Sequence, residues 1–449
     1  GVNSLSLVSK LTPNGIETTG GGGTLRINVY DANLELLPGA DVRIVNTTTD
    51  DPIDVTQQSN IDGVVEFGGA PEAAQYEVFV TRDGYSSAQT YKPSVELPNP
   101  DTKPLTVIAG EVSSASFQTD ILGSMDWYFY ADKEPSIFVD TFTTENFVAT
   151  SSQVMLADAV VLAEDSEGYV SSGWLDSVQI NPDPPATWEM AYSKASTSAE
   201  TEVRYQVTYE TEAGAIALLP DEVLSGNSTG FLPGTISLRS VSATDYPSLG
   251  LRANLQTTTN QQTPELQEWS ITYQQDLTPQ TSLPVRIYGT KAIGTDGDGV
   301  TVYKYDQEHT TDAVGSIALP DIEWDSYRIA LPESQVITRV CPQMPYALDP
   351  AEEQRLEVFM QAAPEHSLRV RIQNSTGEAV PQATVELESQ EHSLSQSQTT
   401  LGCGQSFFGT NLQQGEDYVV LVSADGYSDT VINDITVDGD TYEVITLSQ

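Results

Sequence analysis

Two stretches of the chain alternate apolar and polar residues in the same way and end on the same turn. Tyr76 to Tyr85 reads YEVFVTRDGY and Tyr418 to Tyr427 reads YVVLVSADGY. A period of two predicts a strand with one buried face, and Asp-Gly marks a tight turn. The same alternation recurs upstream. TLRINVYD (from Thr24) pairs with SLRVRIQN (from Ser367), and ADVRI (from Ala40) pairs with ATVEL (from Ala383). Gly63 and Phe67 correspond to Gly404 and Phe408, four apart in each copy. Repeated offsets of this kind mark a reused structural unit. A third, weaker copy starts at SLPVRIYGTK (Ser282 to Lys291), uses VTVYKY as its second strand, Gly315 with Leu319 as its turn, and YRIAL as its late strand.

Between the first and third copies the grain changes. IFVDTFTTENF, GYVSSGWLDSVQI, WEMAYSKA, VRYQVTYE, LGLRANLQTT and ELQEWSITYQ read as longer strands punctuated by Trp174, Trp188 and Trp269. The fold class expected is therefore all-β: tandem antiparallel sandwiches, three small and one larger. The expected order is an N-terminal arm with a Gly20–Gly23 linker (1–23), a sandwich (24–125), a larger sandwich (136–276), a degenerate sandwich (281–362) and a final sandwich (365–449).

The opening strand, the Pro-Gly-Ala-x-Val turn, the Gly-x-x-x-Phe segment and the strand ending in Gly-Tyr resemble carboxypeptidase regulatory-like domains. These are seven-stranded sandwiches of the transthyretin (prealbumin) type, close in plan to Ig-like domains. The resemblance covers Thr24–Leu122 and Ser367–Gln449 well and Ser282–Gln361 weakly. It implies a spacer or adhesive module with no catalytic residues. The middle segment resembles a jelly roll of the concanavalin or discoidin type, and there the pairing of Arg252 with Trp269 on neighbouring strands would be structural. The whole order resembles pilin-like surface proteins of the candidate phyla radiation bacteria. In those a prepilin-type helix precedes such modules.

Composition narrows the function classes. Lys+Arg number 19 against 64 Asp+Glu, a net charge of −45. That charge argues against nucleic acid and against docking on anionic lipid. It fits a solvated acidic surface or cation binding. No run of 18 apolar residues is present, so no membrane span is expected. The chain opens at Gly1 without a signal peptide, which suggests that an address or anchor preceded it. These features predict an extracellular, cell-surface location. The partner expected is either another copy in a filament, using a Gly1–Thr19 arm, or a glycan or protein of another cell.

Catalytic chemistry is poorly represented. His309, His366 and His392 stand in polar stretches without metal-ligand spacing, and no zinc-protease, nucleophile-elbow or phosphate-loop motif is present. Acidic pairs such as Glu164-Asp165 and Glu352-Glu353 read as solvated surface. No enzyme activity is expected, and no cofactor apart from calcium as a weak candidate. Asp296 and Asp298, in TDGDGV, alternate in a Gly-rich loop, a pattern that serves either a calcium ion or a tight hairpin. Asp438 and Asp440 pose the same alternative.

Cys341 and Cys403 are the only cysteines, 62 positions apart, and are expected to form one disulfide joining the last two sandwiches. Exposed aromatics of the larger sandwich, Trp174, Trp188, Tyr169 and Tyr192, are carbohydrate-stacking candidates unless they fill its core. Asn46, Asn227 and Asn374 begin glycosylation sequons. The first function expected is a non-enzymatic structural or adhesive surface protein, a pilus-like filament subunit or an adhesin stalk. The alternative is a carbohydrate-binding protein.

Overall fold

The computed structural model describes residues 22–49, 52–132, 136–144, 146–156, 158–182, 187–211, 213–274 and 277–448. The expected arm, Gly1–Thr19, and the first half of the glycine linker lie outside the described residues. Every regular element among those described is a strand. The chain divides into two compact units. One holds residues up to Phe129, Gln280–Pro332 and Val340–Val358; the other holds Tyr130–Pro279, Glu333–Arg339 and Phe359–Gln449.

The first sandwich stacks two sheets. One contains Val64–Ala70, Gly23–Tyr30 and Val112–Gln118; the other centres on Asp41–Asn46 and Ala73–Thr81. Leu25, Ile27 and Val29 face inward and meet Tyr76, Val78 and Val80 from the second sheet. The last sandwich repeats this plan with Gln405–Phe408, Ser367–Gln373 and Asp440–Thr446 on one side and Thr384–Ser389 and Gly415–Ser423 on the other. Leu25 faces Phe67 across the ladder as Leu368 faces Phe408.

Three devices recur at matched places. Gly63 (φ 64°) and Gly404 (φ 66°) turn the chain with their carbonyls accepting from the Val29 and Ile372 amides. A Cβ at either would lie within 2.6 Å of the carbonyl oxygen of Val29 or of Ile372, so glycine is required. A buried hydroxyl closes the next turn: Ser59 Oγ donates to Leu37 O and accepts from Ala40 N–H, and Thr400 Oγ1 does the same between Val380 and Ala383. The repeated tyrosine forms a corner. Tyr76 Oη donates to Pro71 O and Tyr418 Oη to Gln413 O, both at 2.8 Å and both five residues back. Burial pushes the Tyr76 phenol up to about 12.

Tyr418 Oη also accepts from the Gln413 amide at 3.0 Å. Tyr418→Phe therefore leaves two backbone groups unsatisfied where Tyr76→Phe leaves one. We expect losses of about 2 and about 1 kcal/mol respectively by calorimetry. Equal losses would contradict these corner assignments. Tyr85 and Tyr427, which follow the Asp-Gly turns, pack half-buried against the two cores.

The third sandwich differs from the contiguous copy expected. Pro284–Tyr288 pairs with Asp306–Thr310 and Asp325–Ala330, as Asp41–Asn46 pairs with Ile53–Gln58 and Ala73–Thr81. It is thus the second strand, not the first. The match extends to side chains: Arg286 forks onto Asp306 and Arg43 onto Asp54, all four contacts at 2.6 Å. Thr311 supplies the hydroxyl clip between Gln280 and Leu283.

The first strand is Gly123–Ala131, which lies ahead of the larger sandwich. Met125 faces Leu319, Trp127 faces Ile317, and Gly315 O accepts from the Phe129 amide as Gly63 O does from Val29. The larger sandwich is consequently inserted between the first and second strands of the third. Its points of departure and return are hydrogen-bonded, Gln280 N–H to Phe129 O at 2.9 Å.

The inserted sandwich has two antiparallel sheets. Glu265–Gln274 and Thr187–Ser196 run through one, and Ser172–Ser177, Leu249–Thr257 and Thr201–Glu210 through the other. Trp188, Trp269, Tyr205 and Phe142 fill the space between them.

Candidate functional site

A concavity of about 630 Å³ lies in the second unit. Its floor comes from the strand Leu394–Thr399, whose alternation sets Gln396 and Gln398 half-buried. Gln361, Gln382, Phe407 and Arg339 also line it. Gln396 Nε2 donates to Thr410 O at 2.7 Å and Gln398 Oε1 accepts from Phe407 N–H at 3.0 Å, so both amides are oriented by backbone. Behind Arg339 lies Glu189, a fully buried carboxylate held by Arg239 at 2.5 Å with Arg339 at 3.9 Å. The pair of guanidiniums supplies the charge that burial of Glu189 demands. Among the described residues lining the cleft there is no histidine, cysteine or lysine. The arrangement offers hydrogen bonds to a neutral polar ligand and no nucleophile with its base.

The structure does not assemble the four aromatic candidates. Trp188 is wholly buried and its indole N–H donates to Tyr246 O at 3.0 Å. Trp174 lies half-buried on the opposite sheet, beneath the Arg252 guanidinium at 5.2 Å. Tyr169 packs against the core, and its hydrogen bond to Glu164 raises the phenol's pKa. Tyr192 donates to Asp425 Oδ2 at 2.8 Å, beside Lys194, whose ammonium reaches Asp425 Oδ1 at 3.0 Å. Hydrogen bonding from Lys194 holds the Asp425 carboxyl below its usual range.

Arg252 and Trp269 do not sit on neighbouring strands: they belong to different sheets of the inserted sandwich. Arg252 instead grips Asp176 with two hydrogen bonds, 2.6 and 2.7 Å long. Two sequon asparagines are structural. Asn227 is buried, with its amide bonded to Val207 O and Leu219 O, and Asn46 is buried with Nδ2 on Ala74 O. Asn374 caps its own turn through the Thr376 and Glu378 amides.

Asp296 Oδ1 accepts from the Asp298 and Val300 amides at 3.0 and 2.8 Å. This is turn chemistry, and Asp31, Asn60, Asp312 and Asn374 repeat it in other hairpins. Cys341 and Cys403 are both disulfide-bonded.

One cluster of ligating groups is assembled that the spacing of the histidines does not reveal. Glu391, His392 and Asp417 bring three ligand atoms within 4.8 Å of one another. The signal available in the sequence is the repeat itself. Aligning Tyr418 with Tyr76 sets Asp417 against Gln75, a change of chemistry inside a shared framework.

No protein-family model matches the chain, and no curated protein matches it. Solved structures overlap it weakly. The Bacillus anthracis TIE protein is 12% identical over 95% of this chain and 51% of its own, with a TM-score of 0.19, so the chain spans about half its length. BcpA, the major pilin subunit of Bacillus cereus, is 10% identical over 95% and 99%, with a TM-score of 0.16. The major pilin SpaD of Corynebacterium diphtheriae is 11% identical over 95% and 97%, with a TM-score of 0.16. Scores this low assign no function. Among the described residues no helix is long and apolar enough to cross a membrane.

Proposed function

We propose that the chain is a non-enzymatic structural protein of a cell surface, a tension-bearing segment of a stalk or pilus-like filament. One observation carries this reading. In the first and last sandwiches the entering and leaving strands are parallel neighbours over seven residue pairs, Thr24–Tyr30 on Val112–Gln118 and Ser367–Gln373 on Asp440–Thr446. Tension on the two ends of such a pair pulls the strands past one another. Every rung of the ladder is then loaded together, whereas strands pulled apart from one end break one rung at a time.

The third sandwich supports the same reading: its entering and leaving strands, Gly123–Ala131 and Glu353–Ala362, are again neighbours in one sheet. A disulfide and an acidic surface suit a protein kept outside the cell. Force spectroscopy on the whole chain, tethered at its ends, tests the proposal. The sandwiches are expected to open in discrete, high-force steps, and a smooth low-force extension would overturn it.

A further inference from the structure

The last sandwich differs in chemistry from the first at the corner where the strand Thr384–Ser389 ends against the start of Gly415–Ser423. Both sandwiches carry a bulge there. Ala73 faces Val107 and Tyr76 faces Leu105, so three steps on one strand match two on the other. Gly415 with Val437 and Tyr418 with Ile435 show the same mismatch. A bulge re-aims the side chain it carries. In the first sandwich the corner is closed by Asn46 Nδ2 donating to Ala74 O at 3.0 Å. In the last, Ser389 stands where Asn46 stood, and it reaches a carboxylate instead. Ser389 Oγ donates to Asp417 Oδ2 at 2.7 Å, and the Glu391 amide donates to the same oxygen at 3.1 Å.

Asp417 is thus held by one oxygen, and its other oxygen, Oδ1, is buried without a hydrogen-bond partner. So is His392 Nε2. The two atoms face each other at 3.9 Å, beyond hydrogen-bond range. The imidazole plane is set by stacking on Tyr418, with centroids 5.6 Å apart, and the His392 amide is tied to Ser389 Oγ at 3.1 Å. Gly415 keeps the adjoining space open. A Cβ there would lie 2.7 Å from Nε2 and 3.3 Å from Oδ1.

We propose that Glu391, His392 and Asp417 form a binding site for one divalent transition-metal cation of the zinc class. An ion about 2.0–2.2 Å from nitrogen and oxygen ligands fits a 3.9 Å span between Nε2 and Oδ1. Glu391, exposed at the turn, supplies the third ligand, and the two carboxylates balance the dication. An imidazole among the ligands selects zinc-like ions over calcium or magnesium, which take oxygen. Ser389 is a positioning residue that presents Asp417 with the correct oxygen free. The metal would fasten the turn after one central strand to the start of the next, and so stabilise the last sandwich.

The test is titration of the full, oxidised, metal-free chain with Zn²⁺ in excess Ca²⁺ and Mg²⁺, followed by calorimetry and by Co²⁺ absorption. One ion per chain should bind and resist displacement by the alkaline-earth ions. Ser389→Ala should weaken binding about 10–100-fold. Gly415→Ala should abolish it by filling the space, and Glu391→Gln, an exposed change that leaves folding intact, should weaken it. Uptake that Ca²⁺ displaces, uptake unchanged in Glu391→Gln and Gly415→Ala, or no uptake would each overturn the proposal.

Discussion

Replacing Arg252 by leucine is expected to destabilise the inserted sandwich by about 3 kcal/mol, because it strands a carboxylate that cannot reach water. The Asp176 side chain is 6% exposed and takes both of its strong hydrogen bonds from Arg252, with Thr150 Oγ1 a weaker third at 3.3 Å. Arg252 is itself 30% exposed, which keeps the loss at the lower end of what breaking a buried pair costs. The pair spans directly opposed positions of the strands Ser172–Ser177 and Leu249–Thr257, so the loss falls on a sheet centre. Removing both charges, Asp176→Leu with Arg252→Leu, should recover most of the stability, since no unpaired charge then remains. Chemical denaturation followed by tryptophan fluorescence reads the effect. A double variant no better than the single one would show that the pair, and not the stranded charge, sets the cost.

Reduction of the disulfide has a second large effect, both thermodynamic and mechanical. A bond between residues 62 positions apart contributes roughly 4 kcal/mol by restricting the unfolded chain. Under tension the same bond hides the chain between Cys341 and Cys403. Unfolded and extended, 62 residues span about 210 Å, so reducing agent should lengthen the fully stretched molecule by up to that amount. A Cys341→Ser, Cys403→Ser variant should show the long contour without reductant. Identical contour lengths in oxidising and reducing buffer would refute a closed loop.

Strands and their repetition were legible because period-two alternation is local, and because Gly63 and Gly404 are chemically irreplaceable where they turn the chain. Strand partners were less legible. Gly123–Ala131 reads as a good strand wherever it pairs, and nothing nearby says that its neighbour is Ser316–Ile322, beyond an inserted domain. In the weak third copy only the first two strands are shifted by the sequence pattern, which makes Ser282–Lys291 the opening; the Gly315–Leu319 turn and the late strand YRIAL keep their places. Its Arg286 and the later Asp306 held the correct frame, since Arg43 and Asp54 form the same fork in the first sandwich.

The facing of an aromatic side chain is hard to read for a related reason. A tryptophan on an alternating strand looks alike facing a core or a solvent, and Trp188 faces the core. His392 and Asp417 lie 25 positions apart and meet only because a bulge turns one toward the other. Asp296 was readable as a turn or a cation ligand, and the turn accounts for its Oδ1 contacts.

The parallel pairing of entering and leaving strands is the feature on which the functional account stands. Its most direct measurement pulls the last sandwich, within the whole chain, along two directions: through its first and last strands, and through attachment points that peel Asp440–Thr446 from one end. The account predicts a much higher opening force in the first geometry, lowered toward the second when proline replaces Glu443, whose amide faces the ladder at the carbonyl of Arg369. Equal forces in the two geometries would contradict it.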